Sequence, residues 1–179
     1  NNLYNSGYLQ SDGAMIHLMV NQQVNSKIRF NWVHDTIKYG IRFDGDGDGH
    51  DGYIHHNIGW NCNGGIMAKG GILDSSGNSV GGHYVYNNTF FDSDGKNDLM
   101  ILNTQAGNNI NYGSLVLNNL AEAISGHRSN EEAFEPRITS LNNFSPSNME
   151  DYLRNTVYQD YRPINNSSIV NSGLTSHTA

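Results

Sequence analysis

The chain is short of charge, of helix formers and of cysteine, and each shortage excludes something. Charged residues fill 15% of its 179 positions, ten Lys and Arg against seventeen Asp and Glu, for a net charge of −7. Binding nucleic acid takes a basic stripe that displaces counterions, and no window supplies one. The single cysteine, Cys62, excludes an internal disulfide and a cysteine-based zinc site. No apolar run reaches the roughly 18 residues of a membrane-crossing helix, so no membrane partner is expected. Proline occurs three times, and low charge with little proline is unlike a disordered segment. Ala, Glu, Lys and Leu are scarce, which disfavours a helical bundle. In their place stand 27 Asn and 20 Gly. These residues favour left-handed and turn conformations, which suits a fold of short strands and tight bends.

An internal repeat organises the chain. Four segments place Asn three positions after a β-branched apolar residue: Ile28-Arg29-Phe30-Asn31, Ile54-His55-His56-Asn57, Val85-Tyr86-Asn87-Asn88 and Val116-Leu117-Asn118-Asn119. Their first residues are 26, 31 and 31 positions apart, and Leu3-Tyr4-Asn5 reads as the remnant of an earlier round. A second short strand follows most of them: Gly40-Ile41-Arg42-Phe43, Gly65-Ile66-Met67-Ala68 and Leu99-Met100-Ile101-Leu102. A strand of four residues buries no face alone, whereas stacked turns of chain do. The expected fold is therefore all-β, a right-handed parallel β-helix, with equivalent residues of adjacent coils about 4.8 Å apart. Asn31, Asn57, Asn88 and Asn119 then form a hydrogen-bonded ladder at one corner.

The coils are expected over residues 1–129, with a C-terminal cap and tail over 130–179. Ser147-x-x-Glu150 reads as a capping box opening a short helix through about Arg154. Asp160-Tyr161-Arg162-Pro163 and Ser168 to Gly173 read as a strand-like tail. Asn1 opens in mid-pattern with no initiator Met and no cap, so upstream coils, or another chain completing the stack, are expected.

The apolar-x-x-Asn repeat, the Gly-Ile-x-x strands and the Asp-Tyr-Arg-Pro…Ser-Gly tail resemble secreted right-handed β-helix proteins, among them many polysaccharide lyases and glycoside hydrolases. The resemblance spans residues 1–125 and the tail. It implies a secreted, extracellular or periplasmic protein whose partner is an acidic polysaccharide or oligosaccharide. The stretch Asn63 to Gly71, followed by His83 to Asn88, is similar to the lysine-bearing coil of calcium-dependent pectate-lyase-type β-helices. It departs in placing Lys69 one position late and in an insertion between the two strands.

Alternation along the second strands sorts the chemistry. With Ile41 and Phe43 inward, Arg42 and Asp44 point out; with Ile66 and Ala68 inward, Met67 and Lys69 point out. Asp44 and Lys69 then share an outward column that Asn103 extends, with His17 beside Arg42, on a face expected to form an open groove. A lyase removes the proton next to a uronate carboxylate and expels the 4-linked sugar. Lys69, one of four lysines, is the candidate base, a role that requires it to lose its own proton, which a nearby metal or Arg42 favours. Arg42 is the candidate carboxylate clamp. Trp60, Tyr84 and His55 are candidate substrate contacts beside this groove.

The loop Asp44-Gly45-Asp46-Gly47-Asp48-Gly49-His50-Asp51-Gly52 sets four carboxylates among glycines. Oxygen ligands on a pliant backbone suit Ca²⁺, so Asp44, Asp46, Asp48 and Asp51 are candidate calcium ligands. The loop is not an EF-hand, because its twelfth position is His55 rather than Glu. A hydrolase is the alternative: Asp44 and Asp46 would stand about 7 Å apart on one face, within the separation of an inverting pair. Zinc is disfavoured, since alternation would put His55 and His56 on opposite faces. The third reading is a non-catalytic, carbohydrate-binding or structural member of the same fold.

Overall fold

The computed structural model describes residues 1–9, 12–19, 22–45 and 49–170. Among them the protein is all-β, with a 3-10 turn at Met149–Asp151. No helix among them is long and apolar enough to cross a membrane. In chain order the strands are β1 (Asn2–Tyr4), β2 (Ala14–Met19), β3 (Lys27–Arg29), β4 (Trp32–Asp44), β5 (Tyr53–His55), β6 (Ile58–Lys69), β7 (Tyr84–Tyr86), β8 (Thr89–Phe91) and β9 (Leu99–Ile101). There follow β10 (Thr104–Gln105), β11 (Asn108–Asn109), β12 (Leu115–Leu117), β13 (Leu120–Ala121), β14 (Ile124–Ser125), β15 (Thr139–Leu141), β16 (Leu153–Asn155) and β17 (Asp160–Pro163).

Successive repeats pair in parallel, residue against equivalent residue. One five-stranded sheet runs β15-β12-β7-β5-β3, and an eight-stranded sheet is built around β4 and β6, which also pair with β1, β2, β8 and β9. The inward side chains fall into stacks: Ile28, Ile54, Val85 and Val116; Leu3, Val33, Gly59, Phe90 and Ala121; Ile16, Ile41, Ile66, Leu99 and Ile124. Together they form one apolar core, so each short strand finds above and below the apolar surface it lacks by itself. Gly59 is required in its stack, because a Cβ there would stand 2.2 Å from the Phe90 ring.

Two bends recur along the chain, the second in the earlier repeats only, and both need left-handed backbone. Phe30, His56, Asn87, Asn118 and Asn142 all have φ between 52° and 56°, and Asn5, Asp35, Asn61 and Asp92 lie between 49° and 59°. Asn and Asp tolerate this region better than other non-glycine residues, which accounts for part of the Asn content. Beside the first bend stands the expected ladder. Asn31, Asn57, Asn88 and Asn119 each donate side-chain and backbone N–H to the next Asn Oδ1 at 2.8–3.2 Å. It is longer than expected, with Asn1 joining at one end and Asn143 at the other.

Three expectations for the C-terminal part change. Parallel pairing does not stop at residue 129: β15 pairs with β12, and Leu120 bridges to Phe144. Ser147 is not a helix cap. Asn148 is, accepting from the Glu150 N–H at 3.1 Å, and the helix is a single turn followed by β16. Asp160–Pro163 is a strand as expected, but antiparallel to β16, while Ser168 to Val170 form a turn. This hairpin folds back so that Tyr161, Leu153 and Met149 pack with Phe91 and Leu120, against Trp32, Ile58 and Trp60.

Candidate active site

The register of β2, β4 and β6 assembles the site. His17 lies opposite Arg42, and Asp44 opposite Lys69. Asp44 is the hub: its Oδ1 accepts from Lys69 Nζ at 2.8 Å, its Oδ2 meets Arg42 NH2 at 2.5 Å, and His17 Nε2 stands 3.5 Å from Oδ2. Four residues singled out from the sequence, Lys69, Arg42, Asp44 and His17, thus converge. Two cations share one carboxylate, and Asp12 supplies a second to Arg42 NH1.

The face is not the bare groove expected. Tyr39, Met67, Met100, Leu102 and Ile110 form a second apolar cluster over it. Beyond the antiparallel pair β10–β11, Asn111 is tied down by its N–H to Gly70 O and by its side chain to Ala68 O and Leu102 O. Arg42, Asp44 and Lys69 are therefore buried, and His17, with a quarter of its side chain exposed, is the most accessible of the four. Arg42 Nε, His17 Nε2 and Tyr39 Oη are all buried here without a hydrogen-bond partner. Native interiors rarely leave such atoms unsatisfied. Tyr39, whose ring lies 5.5 Å from the Arg42 guanidinium carbon, was missed from sequence, as was Asp12. Burial pushes the Tyr39 phenol above its ordinary range. The available signal was Gly64 opposite Tyr39, where a Cβ would press on the ring at 2.9 Å.

The remaining expected contacts lie elsewhere. Ala68 pairs with Ile101, so Leu102 takes the place beside Lys69 and Asn103 falls one position beyond the column. Asn103 instead ties down the 130s segment, donating to Glu132 Oε1 at 2.6 Å and to Ala133 O, and accepting from the Glu135 N–H. Trp60 does not flank a groove: it stacks on His34 with centroids 4.1 Å apart and is packed against Tyr161 of the tail. Tyr84 and His55 belong to the five-stranded sheet, stacked on Tyr53 and Tyr86 respectively.

His55 and His56 are not on opposite faces. The left-handed bend at His56 breaks the alternation and brings the two Nδ1 atoms within 2.8 Å. One ring must then donate and the other accept, so the accepting imidazole is neutral. Burial above all, then the neighbouring His56, lowers the His55 pKa to about 4.

Calcium ligation by Asp44 does not fit this geometry. Both its oxygens are engaged by cations, which a calcium ion would have to displace against their repulsion. Asp51 pairs with His50 at 2.8 Å. Asp46 and Asp48 lie outside the described residues, and so does the spacing of the expected Asp44–Asp46 hydrolase pair. Among the described residues no group of three His, Cys, Asp or Glu is arranged to hold a metal ion. No protein-family model, curated protein or solved structure matches this chain, so the reading of the site rests on its own geometry.

Proposed function

We propose that the chain is a right-handed parallel β-helix acting as a lyase on an acidic, uronate-containing polysaccharide outside the cell. In-register parallel pairing, with an asparagine at the same bend of successive rounds, supports the architecture. One observation carries the activity: a guanidinium and an ammonium gathered on one carboxylate, with an imidazole beside it, in a buried cluster. Positive charge held ready in low dielectric is what stabilises the enolate formed when a proton leaves the carbon beside a carboxylate.

The roles follow from position. Arg42 takes the uronate carboxylate and the charge that develops on it. His17 accepts the C5 proton at its second ring nitrogen, Nε2 being turned inward beside Asp44, imidazole being the commonest general base. The electron pair released forms the C4–C5 double bond as the C4–O bond breaks. Lys69, hydrogen-bonded to a carboxylate, fits a proton donor to the departing oxygen better than a base. Calcium belongs to this reading only through Asp46, Asp48 and Asp51, where it would screen the loop's own charge.

The test is ultraviolet absorbance of unsaturated uronate ends, followed on alginate, pectate, ulvan and glycosaminoglycans with and without calcium. New reducing ends without that absorbance would replace the lyase by a hydrolase. No cleavage of any uronan would leave a carbohydrate-binding or structural β-helix.

A further inference from the structure

Arg42 and Asp12 form an unequal pair. The Arg42 side chain is 5% exposed and that of Asp12 is 74% exposed. Arg42 NH1 donates to Asp12 Oδ1, and the same oxygen accepts from the Gly13 N–H at 2.9 Å. The other approaches to the guanidinium are taken: NH2 by Asp44, the region toward Tyr39 by its ring, and Nε by burial. Of the described groups that touch the guanidinium, Asp12 is the one that stands in solvent.

We infer that Asp12 is the internal occupant of a carboxylate-binding position on Arg42, and that a uronate carboxylate enters the site by displacing it. The identity of the incoming ligand rests on the lyase reading; the exchange itself does not. Two carboxylates compete for one guanidinium fork, so the apparent affinity for substrate is the intrinsic affinity reduced by the fraction of time Asp12 is away. Asp12 competes fully at neutral pH, because its hydrogen bond to Arg42 holds its carboxyl below the usual range. Asp12 lies between β1 and β2, where the Asn5 N–H bonds Asp35 O, Thr36 Oγ1 bonds Ser6 O, and Tyr8 and Leu9 are exposed. A merely structural ion pair predicts the reverse, since removing Asp12 would loosen a buried cation without opening a site.

The experiment is calorimetric binding of an oligogalacturonate and of its neutral methyl ester to the wild type and to Asp12→Asn. The expected result is about fivefold tighter binding of the acid by Asp12→Asn, the size of a partly exposed ion pair, with the ester unchanged. Unchanged or weaker binding by a variant with native circular dichroism overturns the inference, as does absence of binding to both proteins. Should the variant not fold, the Arg42 side-chain nitrogen signal in wild-type NMR decides: no response to saturating oligogalacturonate overturns it. Tighter acid binding without cleavage of any uronan would keep the exchange and remove the lyase. Cleavage by the wild type without the gain in Asp12→Asn would do the opposite.

Discussion

Lys69 Nζ stands 2.8 Å from Asp44 Oδ1, and the two residues are direct partners across β4 and β6. With Arg42 on the other oxygen, Asp44 balances two buried cations. Asp44→Ala would leave them facing each other in low dielectric and is expected to cost about 3–5 kcal/mol. Urea denaturation checks this, and a loss no larger than that of an average surface substitution would refute the hub role.

His17→Gln is expected to lower kcat by roughly 10²–10⁴, the contribution of a positioned general base. Its melting temperature should stay close to wild type, because His17 is the least buried of the four. Full activity in this variant would return the base role to Lys69.

An interior ladder rung should matter more than the last one. Asn88 donates to Ile54 O, Tyr86 O and Asn119 Oδ1, and accepts from the Asn57 backbone and side chain. Asn88→Ala leaves several of these buried groups unsatisfied, for a loss of about 3 kcal/mol. Asn143→Ala, at the part-exposed end, should cost about 1 kcal/mol. Equal losses in chemical denaturation would mean that the rungs do not act through burial.

Acid should weaken the fold through histidine before it does so through carboxylates. His83 is fully buried with Nδ1 accepting from the Gly52 N–H, and burial lowers its pKa to about 3, against about 6.5 in an unfolded chain. Its contribution is fully present above pH 6.5 and is lost as pH falls toward 3. His55, lowered to about 4, acts in the same direction. Asp98 opposes them: burial raises its pKa to about 6, so its contribution is lost as pH rises. Thermal melts between pH 7 and 4 should fall, and less steeply in His83→Asn. Parallel curves for the two proteins would exclude His83 as a source.

Trp60→Ala tests whether this ring packs the fold or binds sugar. With His34 on its face and Tyr161 beside it, truncation should cost about 3 kcal/mol and release the β16–β17 hairpin to proteolysis. A variant of wild-type stability with weakened glycan affinity would restore the binding role.

Much of the arrangement was legible in the residues. Four asparagines three positions after an apolar residue located the bends and aligned the rounds. Period-2 alternation from Ile41 and Ile66 then placed Asp44 against Lys69 and sent Arg42 outward. Alternation failed at His55 and His56, because one left-handed residue turns a strand corner and resets which way the next side chain points. It also failed at Asn103, where aligning Leu99 with Gly65 instead of with its partner Ile66 shifts the column by one.

The sequence by itself determined the repeat, the ladder and the meeting of His17, Arg42, Asp44 and Lys69. These depend on neighbours one round apart, and a regular period makes that distance readable. Only the tertiary structure decided what lies over each face: the Tyr39–Met67–Met100 cluster above the charges, the tail across Trp60, and Asp12 on Arg42. Such covers come from irregular segments whose paths are set by where apolar surface and unpaired charge remain after the strands have stacked. No local period encodes that.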